Sequence, residues 1–334
     1  MPRPGQIRFA LQLTHARDGA EWAGLARQAE ADGYAVLSLP DHLRDQFAPL
    51  PALTAAAAAT TNLRLSTFIL ANDLRHPAVL AKEIATLDVL SGGRVELGIG
   101  AGWSAAEFHA LGIPFDRAAV RIGRLREAVT VLRALLSGEP VTFAGRYYRL
   151  DNVTIRPRPV QRCVPLVLGG GGPTMLALAA EHADIVSLTV DGRTRKAGVA
   201  DPPDPITALA YGQAPDPGID YAKTYEAIRW ATVTQQVSLV AAAAGPRFGQ
   251  LELNTRILAA IAADDRERAA LELAGGAAPG AAALLDSPYV LIGTEVQMRD
   301  QILRARAELG LSYFIVGQRH APVLRHIVAA LAGR

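Results

Sequence analysis

Residues 76–103 read HPAVLAKEIATLDVLSGGRVELGIGAGW, and this stretch contains one helix, one turn and one strand in succession. A proline suits the first turn of a helix, and apolar residues from Leu80 to Leu87 then recur at helical spacing. Ser91-Gly92-Gly93 ends the helix, because glycine readily adopts the left-handed backbone of a helix C-terminus. Arg94–Ile99 follows as an apolar strand. The stretch therefore predicts a helix–strand unit of an α/β protein.

The same alternation of strands and helices continues in both directions along the chain. The strand candidates are Ile7–Leu13, Tyr34–Leu39, Leu63–Leu70, Arg94–Ile99, Val164–Leu168, Asp184–Leu188, Leu251–Ile257 and Tyr313–Val316. Helical patterns between them include Ala20–Asp32, a segment that begins at Pro51, Ile122–Leu136 and Met175–His182. An open doubly wound sheet and a closed barrel both use such units, and the count of strands favours the barrel. We predict a single TIM-type (β/α)8 barrel domain over residues 1–334.

Two segments interrupt the alternation. Gly138–Arg149 contains β-type residues around Ala144-Gly145, which predicts a small hairpin in a loop. Val190–Tyr221 is rich in Pro, Gly and Asp and lacks periodicity. It follows the sixth strand candidate, at the end of a barrel where active sites lie, so we interpret it as an insertion loop that is either a lid or partly disordered.

Composition excludes several classes of function. The 334 residues are 50% hydrophobic, and the net charge is only +2, with basic residues scattered along the chain, so we expect no nucleic-acid partner. Cys163 is the only cysteine, which rules out an internal disulfide and a cysteine-type metal site. The histidines have no metal-ligand spacing, so we expect no metal. The N-terminus lacks a signal-peptide core and the Ala-rich stretches are too short to span a bilayer, which predicts a cytoplasmic protein without a membrane partner.

Polar residues follow the second and third strand candidates. His42, after the second, could act as an acid or base near neutral pH, with Asp41 orienting it. The alternative is that Asp41 caps a turn and His42 is simply solvated. Asn72, after the third, offers a donor and an acceptor to the edge of a heterocyclic ring, although asparagine is also a common turn residue.

Glycines follow the fourth and fifth strand candidates. Gly100-Ala101-Gly102-Trp103 would let a planar ligand approach the backbone, with Trp103 as a stacking wall; a tight turn with Trp103 packed beneath it is the alternative. Gly169-Gly170-Gly171-Gly172 opens a helix, so its backbone N–H groups could bind a phosphate, unless the run is only a flexible connection. It matches neither the Rossmann nor the P-loop pattern.

The whole pattern resembles the luciferase-like monooxygenase superfamily. The most specific match is residues 76–103, and supporting matches are the F-x-G-x-Y-Y run Phe143–Tyr148, Pro157–Gln161, the glycine run and Leu291–Thr294. The resemblance implies a (β/α)8 barrel that binds FMN or the deazaflavin F420 at its C-terminal face. Within the superfamily, the sequence is most similar to the branch that uses F420.

The resemblance also implies roles for individual residues. The phosphate would lie at the glycine run, Gly100–Gly102 would lie beside the ring, and Thr67–Ile69 would form a backbone bulge, often a non-prolyl cis peptide, against the ring. His42, with Asp41, would be the acid/base pair. The implied cofactor-binding residues are Thr67, Phe68, Ile69, Asn72, Gly100, Ala101, Gly102, Trp103, Tyr148, Gly169, Gly170, Gly171 and Gly172.

Three functions follow, in order of preference. The first is hydride transfer between F420 and a small organic substrate, with His42 moving the accompanying proton. The second is an FMN-dependent monooxygenase supplied by a separate reductase, and the third is a non-catalytic flavin-binding protein. The family's sugar-phosphate dehydrogenases carry an acid where Trp103 stands, which argues against that substrate class. A homodimer is a family-level expectation.

Overall fold

A computed structural model describes residues 6–190 and 220–334. Contacts within the chain separate two compact units. The N-terminal unit consists of Gln12–Leu168 with His182–Ile185, and the C-terminal unit consists of Gly169–Glu181 and Val186–Arg334 with Met1–Leu11. The predicted Val190–Tyr221 insertion loop lies almost entirely outside the described residues, and the single domain over 1–334 stays a prediction.

Within the described residues, the strands and helices alternate along the chain. The strands are β1 Arg8–Gln12, β2 Val36–Leu39, β3 Arg64–Thr67, β4 Leu70–Ala71, β5 Val95–Gly100, β6 Val141–Ala144, β7 Arg149–Val153, β8 Leu166–Gly170, β9 Ile185–Leu188, β10 Glu252–Ile257, β11 Ala259–Ala262, β12 Val290–Gly293 and β13 Leu311–Gly317. The helices are α1 Gly19–Ala31, α2 Pro49–Ala59, α3 Pro77–Ser91, α4 Ala105–Ala110, α5 Ala118–Leu136, α6 Pro173–His182, α7 Tyr221–Ala227, α8 Trp230–Ala244, α9 Arg266–Leu273, α10 Ala278–Leu285, α11 Glu295–Leu309 and α12 Ala321–Leu331.

The strands of the N-terminal unit that bear on the site are parallel. β2 pairs with β3 so that Leu39 lies opposite Thr67, and β5 pairs with both β3 and β4. β5 also pairs with the start of β8, where Leu97 lies opposite Leu166. Because parallel strands end at one edge of a sheet, the residues that follow β2, β3 and β5 meet there. A hairpin is present as predicted, in the antiparallel pair β6–β7, but its second strand begins at Arg149, where the predicted segment ends, and continues to Val153.

Residues 76–103 form α3 and β5, as predicted. His76 caps α3, since its Nδ1 accepts a hydrogen bond from the Ala78 N–H, and the helix ends at Gly92 with a left-handed φ of 66°. The predicted apolar face is buried. Asp88 at the end of α3 is also buried, and it accepts hydrogen bonds from the main chain and side chain of Gln161. The Pro157–Gln161 segment is therefore tied to this helix.

The buried face of α1 consists of Trp22, Ala26 and Ala29, whereas Leu25 is only half-buried. One detail of the N-terminal unit differs from the predictions. The predicted strand Leu63–Leu70 is interrupted, because β3 ends at Thr67 and β4 begins at Leu70. Apolar periodicity could not reveal this interruption, since both sides of it are buried.

The C-terminal unit is built around the parallel pair β10–β13. Beside the ladder, Arg8 of β1 forms a two-pronged ion pair with Glu252, and its guanidinium lies 3.8 Å from the centroid of the Tyr313 ring. A second parallel pair, β11–β12, was not predicted. These strands are only four residues each, so their apolar runs are too short to give a clear period.

The fold class is the predicted α/β class of the (β/α)8 barrel, with insertions. Each predicted strand has a counterpart: β1, β2, β3 with β4, β5, β8, β9, β10 and β13. Helices connect these strands, and their parallel pairing matches the class. Among the described residues, no helix combines the length and apolar character that crossing a membrane requires.

Candidate active site

His42 is held by a carboxylate that sequence reasoning did not identify. Its Nδ1 lies 3.0 Å from Glu107 Oε2, and the other oxygen, Oε1, accepts a 3.0 Å hydrogen bond from the Leu43 N–H. His42 follows β2, and Glu107 lies on α4, the short helix after β5. Ser104 caps that helix, since its hydroxyl accepts from the Glu107 N–H. Both side chains are largely buried, at 19% and 15% exposure.

The surroundings of Glu107 favour its ionised form. Burial by itself would raise its pKa, but the hydrogen bond and charge of His42, with the Leu43 N–H and the Ser104 hydroxyl, together hold the pKa of Glu107 below its ordinary value. An ionised carboxylate only accepts hydrogen bonds, so Nδ1 of His42 is the donor in this pair. Nε2 is then the ring nitrogen that is left for a further partner.

Asp41, which was expected to orient His42, is engaged elsewhere. Its carboxylate accepts hydrogen bonds from Arg75 Nη1 at 2.6 Å and Nη2 at 3.1 Å, and from the Ala71 N–H at 3.1 Å. Asp41 thus ties the end of β2 to the segment after β3. The expectation of an Asp41–His42 pair is corrected to a Glu107–His42 pair. The reason is that the Asp41 carboxylate is already bound by Arg75 and the Ala71 N–H.

Trp103 packs against His42 and remains partly open to solvent. The ring centroids are 5.3 Å apart with an interplanar angle of 75°, an edge-to-face arrangement. Trp103 is 41% exposed and Leu43 is 57% exposed. The guanidinium of Arg44 lies 5.7 Å from the centroid of the Trp103 ring. Trp103 is therefore not buried beneath a turn, which was the alternative interpretation of this position.

The segment Thr67–Ile69 is fixed by its contacts with β5 and β2. The Thr67 hydroxyl donates to Gly98 O at 2.8 Å and accepts from Gly98 N–H at 2.9 Å. The Phe68 N–H donates to Leu39 O at 2.6 Å, and the Phe68–Ile69 peptide bond is cis. The structure therefore has a non-prolyl cis peptide at the point where the resemblance implies one. The Thr67 side chain is buried, so what it could offer a ligand is backbone.

The segment Gly100–Gly102 has structural reasons for its glycines. Gly102 adopts a φ of 72°, and a Cβ there would lie 2.9 Å from the ring of Phe108. A Cβ on Gly100 would lie 3.3 Å from Ile69. The carbonyls of Ala101 and Gly102 both accept hydrogen bonds from Arg121. Close packing and the tight turn account for these residues without a ligand, so a role beside a ring remains a proposal.

Asn72 is buried and has one unused polar atom. Its Nδ2 donates to Tyr148 Oη at 3.0 Å and to Asp73 Oδ1 at 2.9 Å, whereas Oδ1 has no hydrogen-bond partner in the described part of the chain. Burial raises the pKa of Tyr148, so its phenol stays neutral. An unpaired buried acceptor costs about 1–3 kcal/mol. A ligand N–H group could supply the missing donor.

The glycine run, Gly169–Gly172, belongs to the C-terminal unit. Gly169 and Gly170 end β8, and α6 begins at Pro173. The buried side chain of Gln236 donates to Gly171 O at 3.2 Å and to Thr189 O at 3.1 Å. The run is therefore held from α8 and is not a loose connection. Gln236 was missed because nothing in the sequence separates it from other helical glutamines.

The chain matches the luciferase-like monooxygenase family over residues 6–313, so it belongs to that family. The resemblance in the sequence is thereby confirmed, and the prediction of an enzyme is confirmed at the level of the family. A curated relative from Nakamurella multipartita, named F420-dependent glucose-6-phosphate dehydrogenase, is 38% identical over 190 residues, which are 54% of this chain and 56% of the relative. The chain thus spans about half the length of the curated relatives it matches.

Solved structures are similar over nearly the whole chain. The F420-dependent tetrahydromethanopterin reductase of Methanopyrus kandleri has a TM-score of 0.68 at 21% identity, covering 98% of both chains. An F420-dependent secondary alcohol dehydrogenase, solved with an F420–acetone adduct, also has a TM-score of 0.68 at 21% identity and covers 98% of this chain and 99% of its own. At this identity the likeness concerns the fold alone.

Proposed function

We propose that this chain is an F420-dependent oxidoreductase that transfers a hydride between the cofactor and a small organic substrate. The observation that carries the proposal is the His42–Glu107 pair, with 3.0 Å between Nδ1 and Oε2, at the end of β2 beside the exposed ring of Trp103. A buried, oriented imidazole at a strand end suits acid/base chemistry. Several curated relatives are named F420-dependent glucose-6-phosphate dehydrogenase, and these names support this choice of cofactor.

Different residues of this chain would transfer the proton and bind the substrate in such a reaction. When bound, a deazaflavin supplies the hydride chemistry, which no side chain can perform. His42 gives or takes the accompanying proton through Nε2. Trp103, whose ring packs edge-to-face against His42, and Leu43, the next residue in the chain, are 41% and 57% exposed, and their apolar surface would bind the carbon skeleton of a substrate. This surface suits an apolar alcohol or carbonyl compound better than a sugar phosphate.

The candidate cofactor residues fit a deazaflavin in two separate respects. In the N-terminal unit, the unpaired Oδ1 of Asn72 would accept a hydrogen bond from a ring N–H group, with Phe68, Ile69, the Gly100–Gly102 backbone and Tyr148 around the ring. In the C-terminal unit, the backbone N–H groups of Gly169–Gly172 would hold a phosphate. Thr67 would contribute through its backbone only, since its hydroxyl is occupied by Gly98.

The proposal is tested by titrating the purified protein with F420 and, separately, with FMN, and following the fluorescence of each ligand. We expect saturable binding of F420 and at least tenfold weaker binding of FMN. Preference for FMN would reject the choice of cofactor. Binding of neither ligand would reject the whole set of cofactor residues.

The role of His42 is tested by turnover of F420 with a panel of small alcohols and aldehydes. We expect His42→Ala to lower kcat by about 10²–10⁴-fold, the usual contribution of a general acid or base. His109→Ala is the matched control, because that exposed histidine lies on α4, the helix that carries Glu107, and no hydrogen bond or ring contact joins it to His42 in the described part of the chain. Equal activity of both variants would reject the acid/base role.

A second candidate function is an FMN-dependent monooxygenase supplied by a separate reductase. The description of the matched family as luciferase-like monooxygenase favours it. That reaction consumes molecular oxygen, whereas hydride transfer to or from F420 proceeds without it. Product formation under strictly anaerobic conditions supports the first function, and oxygen uptake in proportion to product supports the second.

A further inference from the structure

We propose that Glu107 is a positioning residue that holds neutral His42 as the Nδ1–H tautomer and so presents the Nε2 lone pair as the proton acceptor. The inference deepens the proposed function and rests on it for the reaction in which that proton moves. The tautomer itself is a property of the protein without cofactor, so the two ideas can fail separately.

The contacts of Glu107 fix both the ring and the backbone beside it. One carboxylate oxygen accepts from the His42 ring and the other accepts from the N–H of the next residue, Leu43, each at 3.0 Å. The edge-to-face contact with Trp103 limits the ring from another side. The imidazole therefore has little freedom to rotate, and a ring flip would break its hydrogen bond to Glu107.

Among the described residues, Glu107 is the carboxylate that hydrogen-bonds the His42 ring. Asp41, adjacent in sequence, is neutralised by a two-pronged ion pair with Arg75. Arg44 lies over Trp103, and Leu43 contributes only its backbone. One carboxylate thus determines which ring nitrogen of His42 carries the proton. In other sites too, the hydrogen-bond partner of one ring nitrogen determines whether the other nitrogen is protonated.

The proton balance follows from this arrangement. When the substrate is oxidised, its O–H bond breaks and a proton forms an N–H bond at Nε2, while the substrate's hydride and its two electrons leave to the deazaflavin. His42 becomes an imidazolium, whose charge Glu107 offsets through the Nδ1–H bond. In the reductive direction the same Nε2–H bond breaks and the proton passes to the carbonyl oxygen. Glu107 itself neither gains nor loses a proton.

A purely structural role is the competing explanation. Glu107 would then only accept the hydrogen bond from the Leu43 N–H. Its removal would destabilise this segment of backbone without changing the tautomer of His42. Glu30 provides a matched comparison, because it is also a carboxylate that accepts backbone N–H groups, from residues 61–63, and it has no contact with His42. Glu107→Gln leaves one acceptor oxygen for two donors, the His42 ring and the Leu43 N–H. Glu30→Gln likewise weakens hydrogen bonds to backbone N–H groups, but at a place away from His42.

The experiment is ¹⁵N NMR of the imidazole nitrogens in the protein without cofactor, with the His42 signals assigned by their loss in His42→Asn. In wild type and Glu30→Gln we expect neutral His42 to carry its proton on Nδ1. In Glu107→Gln we expect the Nε2–H tautomer, which predominates for free imidazole side chains in water, to become the major form. Nε2–H in the wild type, or the same tautomer in all three proteins, would overturn the inference.

Turnover adds a second readout. We expect Glu107→Gln to lower kcat by about 10–100-fold, the usual effect of losing such a support, with KM changed by less than threefold. Glu30→Gln should retain both constants. If the tautomer switches in Glu107→Gln but His42→Ala keeps full activity, the positioning role stands and the acid/base function fails. If the tautomer does not switch, the positioning role fails whatever the activity.

Discussion

Thr67 and Gly98 form a reciprocal pair of hydrogen bonds, in which the Thr67 hydroxyl donates to Gly98 O at 2.8 Å and accepts from Gly98 N–H at 2.9 Å. The two strands approach so closely that a Cβ on Gly98 would lie 1.8 Å from Thr67 O. Both residues are at or near the strand ends that carry the candidate site. The relationship fixes the segment Thr67–Ile69 against β5.

Gly98→Ala should therefore destabilise the protein strongly. The added methyl group has no room, and the expected loss is at least about 3 kcal/mol in the free energy of unfolding, since overpacking of a core typically costs 1–3 kcal/mol and backbone cannot yield easily. Gly24→Ala is the control, because Gly24 lies in α1 with nothing within 4 Å of its Cβ position. That change should stabilise by about 0.5–1 kcal/mol. Denaturant unfolding of both variants checks this, and equal stabilities would contradict it.

Glu30 should make stability depend on pH in the acid range. Burial by itself would raise its pKa, but hydrogen bonds from the N–H groups of residues 61–63 and the charge of Arg94 hold the pKa below the ordinary 4.5. A carboxyl group with a lowered pKa stabilises the folded state above its unfolded pKa. That contribution disappears as pH falls through the lower folded value.

We therefore expect Glu30→Gln to lower the free energy of unfolding by about 0.5–1.5 kcal/mol at pH 7, the net contribution of a hydrogen bond between partly exposed groups. The gap to the wild type should stay constant down to about pH 5 and narrow below 4.5. Urea unfolding of both proteins between pH 3 and 7 measures the gap. A gap that widens in acid would show that the sign of the shift is wrong.

Asn72→Leu should weaken binding of the ring system of the cofactor. The variant removes the unpaired Oδ1, and with it the Nδ2 donor to Tyr148 and Asp73, while it keeps a branched side chain at this position. We expect about tenfold weaker binding, since one hydrogen bond contributes about 0.5–1.5 kcal/mol. Tyr148→Phe removes only the acceptor for Nδ2 and should weaken binding less. Fluorescence titration measures both, and a larger loss for Tyr148→Phe would reject the role given to Oδ1.

Gln236→Leu should affect phosphate binding selectively. The Gln236 side chain donates hydrogen bonds to the carbonyls of Gly171 and Thr189. Without these hydrogen bonds, the glycine run can adopt other backbone conformations. We expect affinity for intact F420 to fall at least tenfold, while affinity for the deazaflavin chromophore without its phosphate changes less than twofold. Ser238→Ala is the control on the same helix, since the Ser238 hydroxyl donates its hydrogen bond to Thr234 O within the helix and not to the glycine run. Equal losses for both ligands would remove phosphate binding from this run.

Much of the fold could be predicted from local pattern. The stretch 76–103 specifies α3 and β5 because apolar residues at helical spacing, a proline start and a glycine end are signals within a few residues of one another. The four-residue strands β11 and β12 carried no such signal and were missed. The positions of His42, Asn72 and Trp103 at strand ends also followed from sequence, since strand ends are where such barrels place their chemistry.

The sequence by itself determined which residues form strands and helices and which polar side chains stand at strand ends. The tertiary structure alone decided which of those side chains meet. Glu107 takes the place expected for Asp41 although it is 65 residues from His42, because β2, β3 and β5 are neighbours and bring α4 beside the end of β2. Asp41, one residue from His42, turns instead to Arg75. Periodicity measures only local order, whereas pairing between distant residues depends on strand adjacency.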